Sequence, residues 1–327
     1  MKCLYHLDAD GKCAAYLIRR QYTCGPEDFL MVNYGWDYMD WLMSHVEPDE
    51  EVYIVDFSIE PEEMKALREI TRNVIWIDHH KSAIEKYKDQ FEDDEIYGIR
   101  CDGIAGCMLT AVYIALANEM HNRTQKYNDV FNYYFSKDEA CDYLLNTDPK
   151  NFSEYLFASF VEYIADYDVW KFKYGDRTKN FILGFETLGE MLPFDPQWGT
   201  LHKIENIYKL QEAGKAIATW RDSVAENYRK NNAYVRKVYD YDVLFWNQCT
   251  GNSMYFGDEI ENYDAVCLYS YSGKHQLWEY SFYSIKEDVD CSAIVTKIKL
   301  ENVNIISAGG HKGASGLQSR ILLEKFL

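Results

Sequence analysis

Acidic and imidazole side chains follow three short apolar runs within the first 80 residues of this 327-residue chain. Carboxylates placed close together repel one another, and they raise one another's pKa values unless cations lie among them. Imidazole nitrogens beside such carboxylates are further ligands for a divalent ion. The pattern therefore predicts a site for two divalent metal ions. The residues form three groups, His6-Leu7-Asp8-Ala9-Asp10-Gly11, Asp56 and Asp78-His79-His80.

Ligands of these types favour particular metals and a particular reaction. Imidazoles mixed with carboxylates, without a thiolate, favour manganese, with iron, cobalt, zinc and magnesium as the alternatives. Two such ions about 3.5–4 Å apart clamp an attacking hydroxide and a phosphoryl oxygen, and they lower the pKa of the water between them. The chemistry predicted for the site is therefore hydrolysis of a phosphoester.

The elements that position these groups follow from the hydrophobic pattern. Short apolar runs alternate with helical periodicity in the first hundred residues, which predicts an α/β fold with a parallel sheet. Ligands of open α/β sheets bind at the carboxyl ends of the strands, so the three groups are expected to line one crevice. The predicted strands cover residues 3–5, 52–55, 74–77 and 95–101, and the predicted helices cover 12–21, 61–71 and 104–118.

The length of the chain predicts two domains, because 327 residues exceed what one compact core usually holds. A long amphipathic pattern over 203–231 predicts a helix that links them. We expect an N-terminal parallel-sheet domain over 1–200, a helical linker over 201–235 and a smaller α/β domain over 236–327.

The remaining segments are less uniform in pattern. The stretch 119–151 shows little periodicity and is interpreted as an insertion, whereas helical periodicity returns at 153–166. In the C-terminal domain we predict strands at 241–246, 265–271 and 278–284, followed by a helix at 290–299 and a glycine-rich segment at 308–316.

Charge and composition exclude several classes of protein. The net charge of −19 argues against a protein that grips long nucleic acid, because that binding mode requires a broad basic surface. No stretch approaches 18 uninterrupted apolar residues, so we expect no membrane span. The nine cysteines never form a CxxC pair and are interpreted as reduced core thiols, which is typical of a cytoplasmic protein.

The three groups resemble the motifs of a known family, the DHH superfamily of phosphoesterases. HLDADG resembles its first motif, VDFS its second and IDHH its third, in the same order. The family includes RecJ-type exonucleases, nanoRNases, linear and cyclic dinucleotide phosphodiesterases, and family II inorganic pyrophosphatases. The resemblance implies that His6 and Asp8 bind one ion and that Asp10 and His79 bind the other. It implies that Asp56 bridges both ions. It further implies that His80 contacts the substrate phosphate and that Asp78 orients a histidine.

The fourth motif of the family is a further aspartate on the second ion. The segment YIADYDVWKF offers two candidates, Asp166 and Asp168. Its Tyr-Asp-x-Trp pattern resembles the version found in the nanoRNase-like branch, which favours Asp168. In the alternative interpretation, one of the two aspartates caps the end of the preceding helix.

The C-terminal segment Ala308-Gly309-Gly310-His311-Lys312-Gly313-Ala314-Ser315-Gly316 resembles the GGGHxxAAG segment of the DHH-associated domain. Glycines let backbone N–H groups approach an anion closely, and a helix that begins after them would add a favourable dipole. The resemblance implies that Gly309, Gly310, His311 and Lys312 hold a substrate phosphate or a terminal nucleotide.

This segment departs from the family in two places. Ala308 replaces the first glycine, and the arginine that the family often carries upstream is replaced near Tyr283. The positive charge would then come from Lys286 or Lys312, or a base would stack on Tyr283 instead of an ion pair forming.

The sequence thus predicts an enzyme that hydrolyses short oligonucleotides or linear dinucleotides to nucleoside monophosphates with two divalent ions, most simply Mn²⁺. Long duplex nucleic acid and membranes are not expected partners. The alternatives are a cyclic-dinucleotide or bis-phosphorylated-nucleotide phosphoesterase, a RecJ-like single-strand exonuclease, a pyrophosphatase, and a catalytically silent nucleotide-binding module. An intact ligand set argues against the silent module.

Overall fold

The computed structural model describes residues 1–88, 90–91, 96–121, 158–248 and 258–323. The chain forms two compact units, Met1–Lys215 and Ala216–Leu327. Most of the predicted insertion at 119–151, and the start of the helix predicted at 153–166, lie outside the described residues.

The first unit contains a four-stranded parallel sheet with the strand order β2-β1-β3-β4. The chain adds β2 on one side of β1, and then β3 and β4 on the other side. The boundary between β1 and β3 is therefore a topological switch point, and ligands of open α/β sheets bind outside the carboxyl ends of the strands at such a point. All residues of β3 and β4 are buried, as expected where both faces are covered. The predicted parallel sheet is confirmed. The strands are β1 (Lys2–His6), β2 (Phe29–Val32), β3 (Val52–Val55) and β4 (Val74–Ile77).

Helices cover both faces of this sheet, and alternate residues of a strand enter different cores. Cys3 and Tyr5 of β1 join one hydrophobic cluster, and Leu4 joins the other, because successive side chains of a strand point to opposite faces. No described helix combines the length and the apolar character needed to cross a membrane. The helices are α1 (Ala9–Arg19), α2 (Met39–His45), α3 (Pro61–Ile70), α4 (Lys81–Tyr87), α5 (Gly106–His121), α6 (Ser159–Asp168), α7 (Asp176–Phe185), α8 (Gln197–Thr200) and α9 (Ile204–Asn232).

The strand predicted over 95–101 is reduced to two isolated bridges in the described part of that segment, Tyr97 with Ile75 and Arg100 with Asp78. Gly98, between them, has φ +117, which L side chains rarely adopt. A Cβ atom on Gly98 would lie 1.9 Å from the carbonyl oxygen of Trp76. Glycine therefore lets the segment lie close against β4, where the backbone N–H groups of Trp76 and Asp78 donate to the carbonyls of Tyr97 and Ile99 at 2.8 and 3.1 Å.

The second unit contains a six-stranded sheet with the order β5-β6-β7-β8-β10-β9. Its neighbouring strands are antiparallel, except for the parallel pair β6 and β7. Helix α10 packs against this sheet and contributes Ile294, Val295 and Ile298 to its core. The predicted α/β character of the C-terminal part is confirmed. The elements are β5 (Ala233–Val238), β6 (Tyr241–Asn247), β7 (Ala265–Ser272), β8 (Leu277–Ser284), α10 (Cys291–Glu301), β9 (Ile305–Gly310) and β10 (Ala314–Ser319).

The glycine-rich segment is a β-hairpin, so the expectation of a helix directly after it was wrong. Strand β9 pairs with β10 in antiparallel register, with Gly310 opposite Ser315 and Gly309 opposite Gly316. Along β10 the residues alternate in burial, with Ser315 and Leu317 turned inward. This period of two is the signature of a strand on a half-buried sheet, and it decides against a helix.

Candidate metal centre

Strand β1 passes directly into helix α1, and the transition places the first group of ligands. Asp8 is the N-cap of α1, and its Oδ1 accepts a hydrogen bond from the backbone N–H of Gly11 at 2.9 Å. A Cβ atom on Gly11 would lie 2.3 Å from the carbonyl oxygen of His6. Only glycine therefore lets the helix begin this close to the end of the strand.

His6, Asp8 and Asp56 form one cluster whose ligand atoms all lie within 4.8 Å of one another. Nδ1 of His6 lies 2.7 Å from Oδ2 of Asp8 and 3.8 Å from Oδ2 of Asp56. Burial lowers the pKa of His6, but the Asp56 and Asp8 carboxylates outweigh it and raise the pKa to about 10. Burial raises the pKa of Asp8, but His6 outweighs it and lowers the pKa to about 2.

Asp10, His79 and Asp168 form a second cluster of the same size. Nε2 of His79 lies 3.8 Å from Oδ2 of Asp10 and 3.4 Å from Oδ2 of Asp168. Burial, followed by repulsion from Asp56, raises the pKa of Asp10 to about 8. Burial, followed by repulsion from Asp10, raises the pKa of Asp168 to about 7.

Asp56 lies between the two clusters. Its Oδ1 is 3.1 Å from Nε2 of His79, and its Oδ2 is 3.8 Å from Nδ1 of His6. The residue is 1% exposed, and among the described residues neither oxygen accepts a hydrogen bond of regular geometry. Its backbone has φ +53, an unusual conformation for a residue other than glycine and one that often occurs at functional sites.

Buried carboxylate oxygens without donors are costly, and divalent cations are the groups that compensate several of them at once. Oδ2 of Asp168, like both oxygens of Asp56, is buried without a hydrogen bond from the described residues. The donor set of carboxylates and imidazoles suits hard or intermediate divalent ions. The residues present therefore fit two divalent metal ions.

Helix α5 begins against this centre and holds Asp10 in place. Oδ2 of Asp10 accepts a hydrogen bond from the backbone N–H of Gly106 at 2.6 Å, and Oδ1 accepts one from Cys107 at 2.9 Å. The amino terminus of a helix favours negative charge, so it supports a carboxylate here. A Cβ atom on Gly106 would lie 2.7 Å from Cβ of Asp56 and 2.9 Å from its Oδ1, so this position requires glycine.

Asp78 is fully buried and orients His80. Its Oδ1 lies 2.6 Å from Nδ1 of His80 and accepts a hydrogen bond from the backbone N–H of His79 at 2.7 Å. The hydroxyl of Ser58 donates to the other oxygen. Burial lowers the pKa of His80, but Asp78 outweighs it and raises the pKa to about 9. Ligand-type atoms of Asp78 and His80 also lie within 4.8 Å of those of Asp56 and His79. Both oxygens of Asp78 already accept hydrogen bonds, however, so Asp78 is less suited than Asp56 to bind an ion.

The two candidates for the fourth motif have different surroundings. Asp168 joins Asp10 and His79. Asp166 accepts hydrogen bonds from the backbone N–H groups of Lys173 and Tyr174, at 2.7 and 3.3 Å, and from the hydroxyl of Thr178 at 2.5 Å. The structure therefore places Asp168 beside Asp10 and His79, whereas Asp166 accepts hydrogen bonds that hold the turn between α6 and α7.

Sequence reasoning missed Asn33 and Tyr34, because it did not predict strand β2. Oδ1 of Asn33 lies 3.3 Å from Nε2 of His6, on the opposite side of the ring from Asp8. The ring centroid of Tyr34 lies 5.8 Å from that of His6 and 5.9 Å from that of His80. The apolar run Phe29–Val32, followed by a polar residue, was the signal that could have revealed this fourth strand end.

The C-terminal candidates lie in the second unit, on the β9–β10 hairpin and the neighbouring strand β8. His311 and Lys312 are exposed at the turn, where the backbone N–H of His311 donates to the carbonyl of Ala314 at 2.7 Å. Gly309 and Gly310 are the last residues of β9. Tyr283 of β8 pairs with Ala314 and is half-buried, and burial raises the pKa of its hydroxyl.

Lys286, the other proposed source of positive charge, forms an ion pair with Asp264 at 2.5 Å. Lys312 is therefore the better candidate for a cation that meets a substrate.

Solved structures resemble this chain, although no family model and no curated protein matches it. One is PggH, a pGpG-specific phosphodiesterase from Vibrio cholerae, with 11% identity, a TM-score of 0.41, and 99% of this chain and 95% of that chain covered. A second is RecJ from Thermus thermophilus in complex with Mn²⁺, with 13% identity, a TM-score of 0.44, and 97% and 49% covered. A third is an uncharacterized protein from Helicobacter pylori, with 14% identity, a TM-score of 0.34, and 96% and 91% covered. The chain spans about half the length of that RecJ.

Proposed function

We propose that the protein is a two-metal phosphodiesterase that hydrolyses short oligonucleotides or linear dinucleotides to nucleoside monophosphates. The observation that carries this proposal is the position of Asp56, which is buried between the His6 and His79 clusters and accepts no hydrogen bond of regular geometry from the described residues. A carboxylate in this position is suited to bridge two cations. Its two oxygens face different imidazoles, Oδ1 toward His79 and Oδ2 toward His6, so each oxygen could meet a different ion.

His6 and Asp8 would hold one ion, Asp10, His79 and Asp168 the other, and Asp56 both. Ions held there would supply positive charge for the phosphoryl oxygens and lower the pKa of the attacking water. Two of these ligands are held by backbone N–H groups, since Asp8 caps α1 and Asp10 accepts hydrogen bonds from the start of α5.

His80 is suited to contact the substrate phosphate. Its Nδ1 is held by Asp78, so the ring is fixed in orientation, and Nε2 is the nitrogen that would donate to the phosphate. Without ions in the centre, Asp78 raises the pKa of His80 to about 9, which favours the protonated ring, and a protonated ring would stabilise negative charge on a phosphoryl oxygen.

The preference for short substrates rests on charge. A chain with net charge −19 repels a long polyanion, and this repulsion increases with each phosphate beyond those held by the ions. The β9–β10 hairpin, with His311 and Lys312 exposed at its turn, is proposed to bind a phosphate of the substrate.

One panel of substrates tests the proposal. Purified protein with Mn²⁺ is incubated with linear dinucleotides, with oligonucleotides of about 5 and about 24 nucleotides, and with cyclic dinucleotides, bis-phosphorylated nucleotide and pyrophosphate, and kcat/KM values are compared. The proposal expects the highest value for the linear dinucleotides or the shortest oligomers. No hydrolysis of any phosphodiester, with the ions bound, would refute it.

A further inference from the structure

Tyr34 lies at the edge of the metal centre, on a tight turn that follows β2. The backbone N–H of Trp36 donates to the carbonyl of Asn33 at 3.1 Å, which closes the turn. Gly35 has φ +81, the conformation that a type II turn requires at its third residue. The side chain of Tyr34 is therefore presented by a well-defined turn.

Contacts on several sides fix the Tyr34 ring. Its centroid lies 4.8 Å from that of Phe57, and it meets His80 edge to face with an interplanar angle of 81°. The ring centroid also lies 5.8 Å from that of His6. Even so, 51% of the residue remains exposed.

An aromatic ring that is fixed in place and half exposed beside a phosphate-binding imidazole suits one particular occupant. A nucleotide carries a flat apolar base one sugar away from its phosphate, and bases stack on aromatic side chains without regard to sequence. A ring that served only to cover His6 and His80 would gain by burying its outer surface, since exposed apolar area is unfavourable.

We propose that Tyr34 is a stacking platform for a nucleobase of the substrate and so determines that the enzyme prefers nucleotides over simple phosphate esters. This inference rests on the proposed function of the centre. Tyr34 would bind one nucleoside while His80 contacts the phosphate attached to it. Tyr34 would contribute to binding of the base, whereas ions held by the ligands would act on the phosphate.

The test compares Tyr34→Leu with wild type on a linear dinucleotide and on two analogues that each lack one base. For the full dinucleotide we expect KM to rise about 10-fold while kcat changes little, because stacking aids binding of the base. For one of the two abasic analogues, Tyr34→Leu should have no effect on KM, and that analogue identifies the nucleoside that stacks. Tyr34→Trp should keep the wild-type KM.

A binding measurement without turnover gives a second readout. The affinity for a non-hydrolysable dinucleotide, measured calorimetrically, should fall about 10-fold in Tyr34→Leu, whereas the affinity for Mn²⁺ should not change. Tyr208→Leu is the matched control, since Tyr208 is 59% exposed in the same unit and is assigned no role.

Three results would overturn the stacking role. These are an unchanged KM in Tyr34→Leu, an equal loss for both abasic analogues, and an equal loss in Tyr208→Leu. Any of them would leave the proposed phosphodiesterase activity standing if wild type still cleaves the dinucleotide. Failure of wild type to cleave any phosphodiester would instead refute the function itself.

Discussion

Oδ1 of Asp56 lies 3.1 Å from Nε2 of His79, and the other oxygen of the same carboxylate faces His6. One buried carboxylate thus joins two clusters whose members follow three neighbouring strand ends, except for Asp168, which lies on α6. The left-handed backbone of Asp56, with φ +53, aims its side chain into this position. The other candidate ligands therefore surround this residue.

Substitution of Asp168 should lower activity, whereas substitution of Asp166 should lower stability. Asp168→Asn removes a carboxylate from the cluster with Asp10 and His79, and we expect kcat to fall by at least about 100-fold. Asp166→Asn disturbs three hydrogen bonds near α7, and we expect it to lower the free energy of unfolding by about 1–3 kcal/mol while activity is largely kept. Thermal melts and steady-state kinetics of both variants check this. The reverse pattern would transfer the ligand role to Asp166.

Gly106→Ala should disturb the centre without touching a ligand. The added Cβ would lie 2.7 Å from Cβ of Asp56, so helix α5 or Asp56 must shift. We expect the affinity for Mn²⁺, measured by calorimetry, to fall about 10-fold or more. Gly199→Ala is the matched control, because a Cβ on Gly199 meets no atom within 4 Å. Equal Mn²⁺ affinities for the two variants would contradict the close approach of α5.

The metal-free protein should lose stability as pH rises. The pKa values of Asp10 and Asp168 are raised from 3.8 to about 8 and about 7, so folding favours their protonated forms. That stability is fully present below the unfolded-state value of 3.8 and is lost as pH rises through 7 and 8. The raised pKa values of His6 and His80 act in the same direction above their unfolded-state value of 6.5.

The melting temperature in a chelator should therefore fall between about pH 5 and about pH 8. With saturating Mn²⁺ the carboxylates are neutralised by the ions, so the fall should be much smaller and the gap between the two curves should widen with pH. A metal-free melting temperature that is constant or rises over this range would show that the pKa values of Asp10 and Asp168 are not raised in the folded protein.

Substrate length should matter most at low salt. Because the net charge is −19, repulsion of each additional phosphate is least screened there, and kcat/KM should fall as length increases from a dinucleotide to about 24 nucleotides. His311→Ala should raise KM for the short substrates while hydrolysis of a small nitrophenyl phosphodiester changes little. Equal or better cleavage of the long substrate at low salt would favour a RecJ-like exonuclease.

Much of the centre could be predicted because its ligands are local to strand ends. The carboxyl ends of neighbouring parallel strands meet at one edge, so an apolar run followed by Asp56, or by Asp78 and His79, is informative by itself. The structure brings these residues together with Asp10 at the same edge. The sheet that carries them was predicted for the same reason.

The remaining features depend on packing between distant segments. Gly106 contacts Asp56 only because α5 packs across the sheet, and a glycine that opens an apolar helix gives no sign of that contact. Asp166 and Asp168 lie two residues apart on a helix and so face different directions, and the aromatic residues around both hide which face is buried. The β9–β10 hairpin was missed because glycines were interpreted as a loop before a helix.

The number of bound ions, and whether they share Asp56, can be measured directly. Calorimetry and electron paramagnetic resonance of the protein titrated with Mn²⁺ should show two ions per chain with the signal of a magnetically coupled pair. In Asp56→Asn the pair should be lost, with at most one ion bound tightly. One ion in wild type, or a coupled pair that survives in Asp56→Asn, would contradict the central claim.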